Sequence, residues 1–238
     1  MRKMSERLDK IVAQGALLTR TEAQSAIRRG RVLCGGRVCT DPAEKFDRAA
    51  CEILLDGKKL RADGFIYIMM NKPAGVLSAT EDKDAPTALD LLAPEYKKRK
   101  LGVVGRLDKD ASGFLLLTDD GALNHTLTSP KSHAPKLYEA ILDAEPDPSA
   151  VDAFAKGMDL GDFTAMPAKL EIRGKTCLVT VREGKFHQVK RMFEKVGRRV
   201  LGLKRLKIGE LSLDGNLAPG AYRELLPDEI ALLKVRFR

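Results

Sequence analysis

The segment Gly105-Arg106-Leu107-Asp108-Lys109-Asp110-Ala111-Ser112-Gly113 runs without a break into Phe114-Leu115-Leu116-Leu117-Thr118. The first part reads as a turn rich in aspartate and glycine. The second has the length and apolarity of a buried strand. A carboxylate, Asp108, is therefore pinned close to an arginine at the mouth of a packed core. That is a natural place for nucleophilic or acid–base chemistry.

The same spacing raises a metal. Asp108, Asp110, Ser112, Gly113 and Asp119 fall where a calcium-binding loop carries its ligands and its glycine. The residues between them argue against it, because Leu116 and Leu117 occupy positions that should be wet. Zinc is no better supported. Cys34, Cys39, Cys51 and Cys177 form no C-x-x-C pair, and the chain has only three histidines. The cysteines read as small hydrophobes in a reducing, cytoplasmic setting, and no metal is expected.

At 238 residues the chain can bury a real core, with one or two domains expected. No stretch approaches a membrane span, and the charged start Met1-Arg2-Lys3-Met4-Ser5-Glu6-Arg7 is unlike a secretory signal. The net charge of +9 is uneven: residues 1–61 carry 14 Lys and Arg against 8 Asp and Glu. A polyanionic partner for that part follows.

Within it, a helix is expected over Ser5–Gln14, with Ser5 as N-cap and Leu8, Ile11 and Val12 on one face. A second is expected over 20–29, entered at Thr19 or Arg20 and stopped by Gly30. Val32-Leu33, Gly35-Gly36 and Val38 read as a hairpin, and residues 52–55 as a further strand. Arg61-Ala62-Asp63-Gly64 reads as a linker. Beyond it, strands are expected at 65–70, 114–118, 137–142, 168–172, 176–182, 199–203 and 206–213. Helices are expected at 87–92, 120–128, 149–156 and 187–196. This is an α+β pattern with a mixed, largely antiparallel sheet flanked by helices.

Arg7, Lys10, Arg20, Arg28, Arg29 and Arg31 cluster on the two N-terminal helices and the turn after them, and suit phosphate contacts. Arg7-Leu8-Asp9-Lys10, Thr19-Arg20-Thr21-Glu22-Ala23, Ile27-Arg28-x-Gly30-x-Val32 and Gly36-x-Val38 together resemble the S4 RNA-binding domain. Cys34-Gly35 departs from that pattern in the turn. In the larger part, a basic helix start, Glu183-Gly184-Lys185-Phe186-His187-Gln188-Val189-Lys190-Arg191-Met192-Phe193, carries His187 and Arg191 four apart, sharing a face, with Lys190 beside them. Lys136-Leu137-Tyr138 opens a strand.

Taken in order, Met70-Asn71-Lys72-Pro73-x-Gly75, the Gly-Arg-Leu-Asp turn at 105–108, Lys136-x-Tyr138 and the 183–193 segment resemble the RNA pseudouridine synthases, specifically the RsuA-type group that acts on small-subunit ribosomal RNA. Ala111 departs from the family, which has threonine there. The resemblance implies an S4-like domain over 1–61 and a catalytic domain over 62–238. It implies breakage of a uridine N1–C1′ bond, rotation of the uracil and formation of a C5–C1′ bond, with no cofactor. Asp108 would be the catalytic carboxylate, by an adduct or a glycal route, with Lys190 as its ion-pair partner. Tyr138 would stack on the uracil and take the C5 proton. Arg106 would help extrude the uridine, which must leave the stack to react. His187 and Arg191 would contact RNA. The expected substrate is 16S rRNA, by resemblance the uridine 516 type of site, free or in a small-subunit assembly intermediate. The expected enzyme is a monomer, with no membrane partner. A 23S rRNA enzyme of the same class, or a non-catalytic ribosome-assembly protein on this scaffold, are the alternatives.

Overall fold

The computed structural model describes residues 5–48, 50–60, 64–129 and 132–235. The expected linker lies outside the described residues except for Gly64. The chain forms two compact units, Met1–Ile66 with Leu92–Leu101, and Tyr67–Leu91 with Gly102–Arg238.

In the first unit, β1 (Ser5–Arg7) pairs antiparallel with β4 (Lys45–Asp47). Helix α1 (Leu8–Gly15) follows at once, so Ser5 is a strand residue rather than an N-cap, and Arg7 caps without a side-chain bond. Helix α2 (Arg20–Arg28) begins with a capping box: the Thr19 Oγ1 accepts from the Glu22 amide at 3.2 Å, and the Glu22 carboxylate accepts from the Thr19 amide at 2.7 Å. The expected hairpin is β2 (Val32–Cys34) with β3 (Arg37–Cys39). Strand β5 (Ile53–Leu55) lies on the other side of β2, and β6 (Lys58–Lys59) completes the sheet. Leu8, Ile11, Val12, Ala23, Ile27, Val32 and Ile53 fill the core between helices and sheet. The short α3 (Pro94–Lys97) belongs to this unit. Just beyond it Lys98 pairs with Glu22 at 3.2 Å and Arg99 donates to the Gln14 and Gly64 carbonyls.

The second unit is built on a nine-stranded sheet. Strand β7 (Tyr67–Lys72) is buried along its whole length and pairs antiparallel with β9 (Ser112–Thr118), the apolar run that follows the acidic turn. β8 (Gly102–Val104) flanks β9. β10 (Lys136–Leu142) lies between β14 (Thr176–Val181) and β15 (Val200–Ile208), and β13 (Lys169–Arg173) is the edge beyond β14. β16 (Leu211–Ser212) pairs with β15, and β17 (Tyr222–Glu224) with β7. The β15–β9 pair is parallel and the other sheet pairs are antiparallel. Helices α4 (Gly121–Thr128), α5 (Ala150–Lys156), α6 (Gln188–Lys195) and α7 (Pro227–Leu233) accompany the sheet, with a small hairpin of β11 (Met158–Asp159) and β12 (Thr164–Ala165). Phe154 of α5 and Phe193 of α6 meet at 5.0 Å between ring centroids.

Two expectations are corrected here. Thr87 forms an isolated parallel bridge with Leu77 and residues 88–91 are turn, so 87–92 is not a helix. Both the amide and the hydroxyl of Thr87 donate to the Asp90 carboxylate at 2.9 Å, local bonds that compete with helical ones. The strands expected at 199–203 and 206–213 divide elsewhere: one strand runs over 200–208, its Lys204 and Arg205 paired with both β10 and β9, and after the turn at Gly209 β16 returns at 211–212.

Candidate active site

The turn from Gly105 to Gly113 is held from behind by buried groups. Arg205, on β15, donates from Nε to the Phe114 carbonyl and from a terminal nitrogen to the Gly105 carbonyl, each at 2.8 Å. Ser78 Oγ donates to the Leu107 carbonyl at 2.8 Å and accepts from the Leu107 amide at 3.0 Å. The buried ammonium of Lys72 donates to the carbonyls of Pro73 at 2.8 Å, Val76 at 2.7 Å and Lys109 at 3.4 Å. The Gly75 amide reaches the same Lys109 carbonyl at 2.7 Å, and the Ala111 amide closes the turn on the Asp108 carbonyl at 3.1 Å. Gly113 has φ +100°, and a Cβ there would lie 2.3 Å from the Arg205 carbonyl oxygen. Only glycine permits β15 to come so close.

So anchored, Asp108 turns its half-buried carboxylate toward α6. Its Oδ2 lies 3.1 Å from the Lys190 ammonium and its Oδ1 3.5 Å from His187 Nε2. Lys190 also reaches Asp110 at 2.6 Å. Burial pulls the Lys190 ammonium toward a lower pKa, but its hydrogen bonds to Asp110 and Asp108 outweigh that and hold it above its ordinary value. Lys190 thus stays a cation, and Asp110 is held below the usual carboxylate range by the same bond. Lys72 goes the other way. Burial lowers it to about 8, with Asp110 and Asp108 opposing the fall.

Asp108 stands where two hollows join. The smaller, of about 70 Å³, is walled by Tyr138, Val181, Leu203, Ala111 and Arg106. The larger is an open groove of about 900 Å³ running past Gly75, Leu77, Lys109, Lys185 and Phe186. The loop entering α6 is fixed by Gln188, whose amide donates to Glu183 at 2.8 Å and accepts from the Lys185 amide at 3.2 Å. His187 caps the helix in the left-handed region (φ +49°), an uncommon conformation for a side-chain-bearing residue.

The structure brings Asp108, Arg106, Tyr138, Lys190 and His187 together. It does not bring Arg191. The expectation that His187 and Arg191 share a face is corrected: His187 lies outside the regular helix and points to Asp108. Arg191 pairs with Asp162, donates to the Leu160 carbonyl at 2.6 Å and lies 4.9 Å from the Phe163 ring. In the first unit, Arg7 and Arg20 bind the fully buried Asp9 at 3.0 and 2.6 Å. Burial alone would raise Asp9, yet those bonds and one from Gln24 hold it well below the carboxylate range. Lys10 pairs with Glu6 at 2.7 Å, and Arg31 with Asp56. Arg28 and Arg29 are exposed, and among the described residues no carboxylate pairs with either. Ser78 and Arg205 are site residues that sequence reasoning missed, while Lys72 and Asp110 stood in its motifs with no role assigned in the site. For Arg205 the available signal was its alternation with Leu203 on the buried face of a strand whose other charges, Lys204 and Lys207, are less buried.

Comparison with known proteins places this geometry. Residues 66–195 match the model of the RNA pseudouridylate synthase family, and residues 6–49 match the S4 domain. The ribosomal small subunit pseudouridine synthase A of Escherichia coli K12 is 41% identical over 230 residues, covering 94% of this chain and 98% of that protein. An uncharacterized RNA pseudouridine synthase, YtzG, of Bacillus subtilis is 44% identical over 233 residues, covering 95% and 98%. A crystal structure of a pseudouridylate synthase superposes with a TM-score of 0.68 at 37% identity, covering 95% of this chain and 99% of that one.

Proposed function

The chain belongs to the RNA pseudouridylate synthase family and carries an S4 domain, so it is an RNA-modifying isomerase; from that premise we propose that it converts one uridine of 16S rRNA, at the uridine 516 type of site, to pseudouridine. The observation that carries the mechanism is the Asp108 carboxylate. It is paired with Lys190 at 3.1 Å and faces a small pocket walled by Tyr138.

In this reading the target uridine leaves its stack and its uracil enters the small pocket against the Tyr138 ring. Arg106, exposed at the rim, occupies the space vacated. Asp108, paired with the Lys190 ammonium, faces the sugar, where it adds to C1′ or first removes a sugar proton. The N1–C1′ bond breaks, the uracil turns, and C5 bonds to C1′ as the Asp108–C1′ bond breaks or, on the second route, as Asp108 returns the sugar proton. Tyr138 takes the proton that C5 loses, and N1 gains one, so atoms balance without redox chemistry or cofactor. The small-subunit substrate rests on the 41% identical relative, whose name specifies that subunit. Arg28 and Arg29, with the basic surface of residues 1–61, supply phosphate contacts outside the pocket. The proposed form is a cytoplasmic monomer acting on rRNA or on a small-subunit assembly intermediate.

The test is carbodiimide mapping of pseudouridine in 16S and 23S rRNA from cells with and without the gene, paired with a purified assay of Asp108→Asn. One 16S site should vanish with the gene, and Asp108→Asn should form no pseudouridine. Loss of a 23S site instead would move the substrate to the large subunit. Activity surviving in Asp108→Asn would remove Asp108 from the chemistry.

A further inference from the structure

Phe186 is the most exposed large apolar side chain among the described residues, at 74%. Leaving so much aromatic surface in water has no packing purpose, since no core lies beneath it. Yet the ring is not loose. It lies 3.8 Å from the His187 imidazole at 15° between planes, a parallel stack. Its loop is pinned on both sides: Lys185 sits 4.3 Å over Phe163, and Gln188 bonds Glu183. The left-handed His187 backbone sets the angle at which the two rings meet. One face of Phe186 is covered by imidazole, and the exposed ring lines the groove beside Asp108.

We propose that Phe186, backed by His187, is a stacking platform for a nucleobase flanking the target uridine. This rests on the RNA substrate argued above and adds to it a residue that selects and registers that RNA. Aromatic rings held open to solvent beside cations are how proteins grip unstacked bases, the ring taking the base and the cations the phosphates. Both halves are present here, because Arg106, Lys109 and Lys185 line the same groove. Geometry decides which base is held. A base on the free face of Phe186 stacks a full ring beyond His187, the group whose Nε2 lies 3.5 Å from the Asp108 carboxylate. It cannot be the uracil that reacts. It is a neighbour, splayed out when the target uridine leaves the helix. Stacking energy gained there offsets part of the unstacking cost of extrusion.

The experiment uses the full-length chain with 16S and 23S transcripts, comparing Phe186→Ala, Phe186→Leu and Phe186→Tyr. Steady-state kinetics would be supplemented by 2-aminopurine placed next to the mapped uridine. Phe186→Tyr should match wild type. Phe186→Ala and Phe186→Leu should raise KM about 5- to 150-fold, the range expected for losing one base–aromatic stack. Both should also lose the quenching of 2-aminopurine fluorescence that wild type and Phe186→Tyr show on binding. Because the side chain is exposed, all three variants should melt with wild type. If Phe186→Leu keeps wild-type KM and quenching, an aromatic face is not what the position supplies and the platform is refuted. The RNA reading would then stand, since wild type still converts its uridine. If wild type converts neither transcript, the RNA reading fails and the platform with it.

Discussion

Replacing Arg205 by methionine separates stability from catalysis in this fold. The parallel pairing between β9 and β15 covers only Ser112 with Lys204 and Gly113 with Arg205. Beyond it the Arg205 side chain continues the ladder, taking the Phe114 carbonyl with Nε and reaching back to the Gly105 carbonyl, both at 2.8 Å. One guanidinium therefore ties together the two ends of the loop that carries Asp108. Methionine keeps most of the volume and leaves two carbonyls without their donor, at about 1–3 kcal/mol each. Against this, Arg205 is buried, and among the described residues no carboxylate pairs with it. Removing the cation relieves a desolvation cost of several kcal/mol. The two effects oppose, and the net change in unfolding free energy should stay within about 3 kcal/mol.

Catalysis has no such compensation. Once the loop ends are untied, Asp108 moves relative to Tyr138 and Lys190, and a displacement of about 1 Å is worth about 100-fold in rate. Arg205→Met should therefore lose about two orders of magnitude in kcat, with KM nearly unchanged, since the guanidinium touches no part of the groove. Arg205→Lys keeps the charge but has no fork with which to span both carbonyls, and should fall between. The assay is steady-state release of tritium from RNA labelled at uracil C5, over a range of RNA concentrations, beside urea denaturation of the same preparations. A kcat within about threefold of wild type in a folded Arg205→Met protein would refute the idea that this clamp positions Asp108.

Four further outcomes are expected. Gly113→Ala places a Cβ 2.3 Å from the Arg205 carbonyl at a φ of +100°, and should cost at least about 3 kcal/mol by denaturation; a cost under about 1 kcal/mol would mean that the strands part easily. Lys190→Met leaves Asp108 and Asp110 facing each other without their shared cation, and tritium release should fall about 100-fold or more, whereas Asp110→Asn, at an exposed carboxylate, should stay within about threefold. Burial lowers both Lys72 and Lys136 to about 8. Above that pH the unfolded chain holds more protons than the folded one, so stability should climb from about pH 8 to 10 by up to about 1.4 kcal/mol per pH unit for each lysine; Lys72→Met should remove about half of the combined slope, and an unchanged slope would remove Lys72 as its source. Replacing Arg28 and Arg29 together by alanine should lower the slope of log affinity against log salt by about 2 in RNA-binding titrations, with no loss of stability; an unaltered slope would take both off the phosphate path.

What the sequence announced is local, and what it concealed is long-range. The helix start near Thr19, the two-residue turn at Gly35-Gly36 and the unbroken Phe114–Leu117 run are each set by neighbours in sequence, so each was legible. Ser5 was misread because its strand partner, Asp47, lies far along the chain. The strand over 200–208 looked like two because Lys204 and Arg205 interrupt its apolar pattern. A buried guanidinium is tolerable there only because carbonyls 91 and 100 residues away satisfy it. His187 gave no hint of its left-handed backbone, and so its turn from the Arg191 face toward Asp108 was invisible.

The same division runs through the site. Asp108, Tyr138, Lys190 and His187 are conspicuous as chemistry, and resemblance in the order of their motifs grouped them. Ser78 and Arg205 are conspicuous as nothing, a serine in a loop and an arginine in a strand, and Lys72 and Gly113 stand in quoted motifs without showing what they do there. They spend their hydrogen bonds on backbone carbonyls or their missing side chain on a close approach, all of them on the 105–114 loop or its immediate support. A turn of nine residues has no stiffness of its own, so the position of Asp108 is set by these four and not by its own sequence. It follows that damage to the chemistry should arise as readily from the silent set as from the carboxylate they hold, and the kcat of Arg205→Met, measured at preserved fold, is where that equivalence can be read.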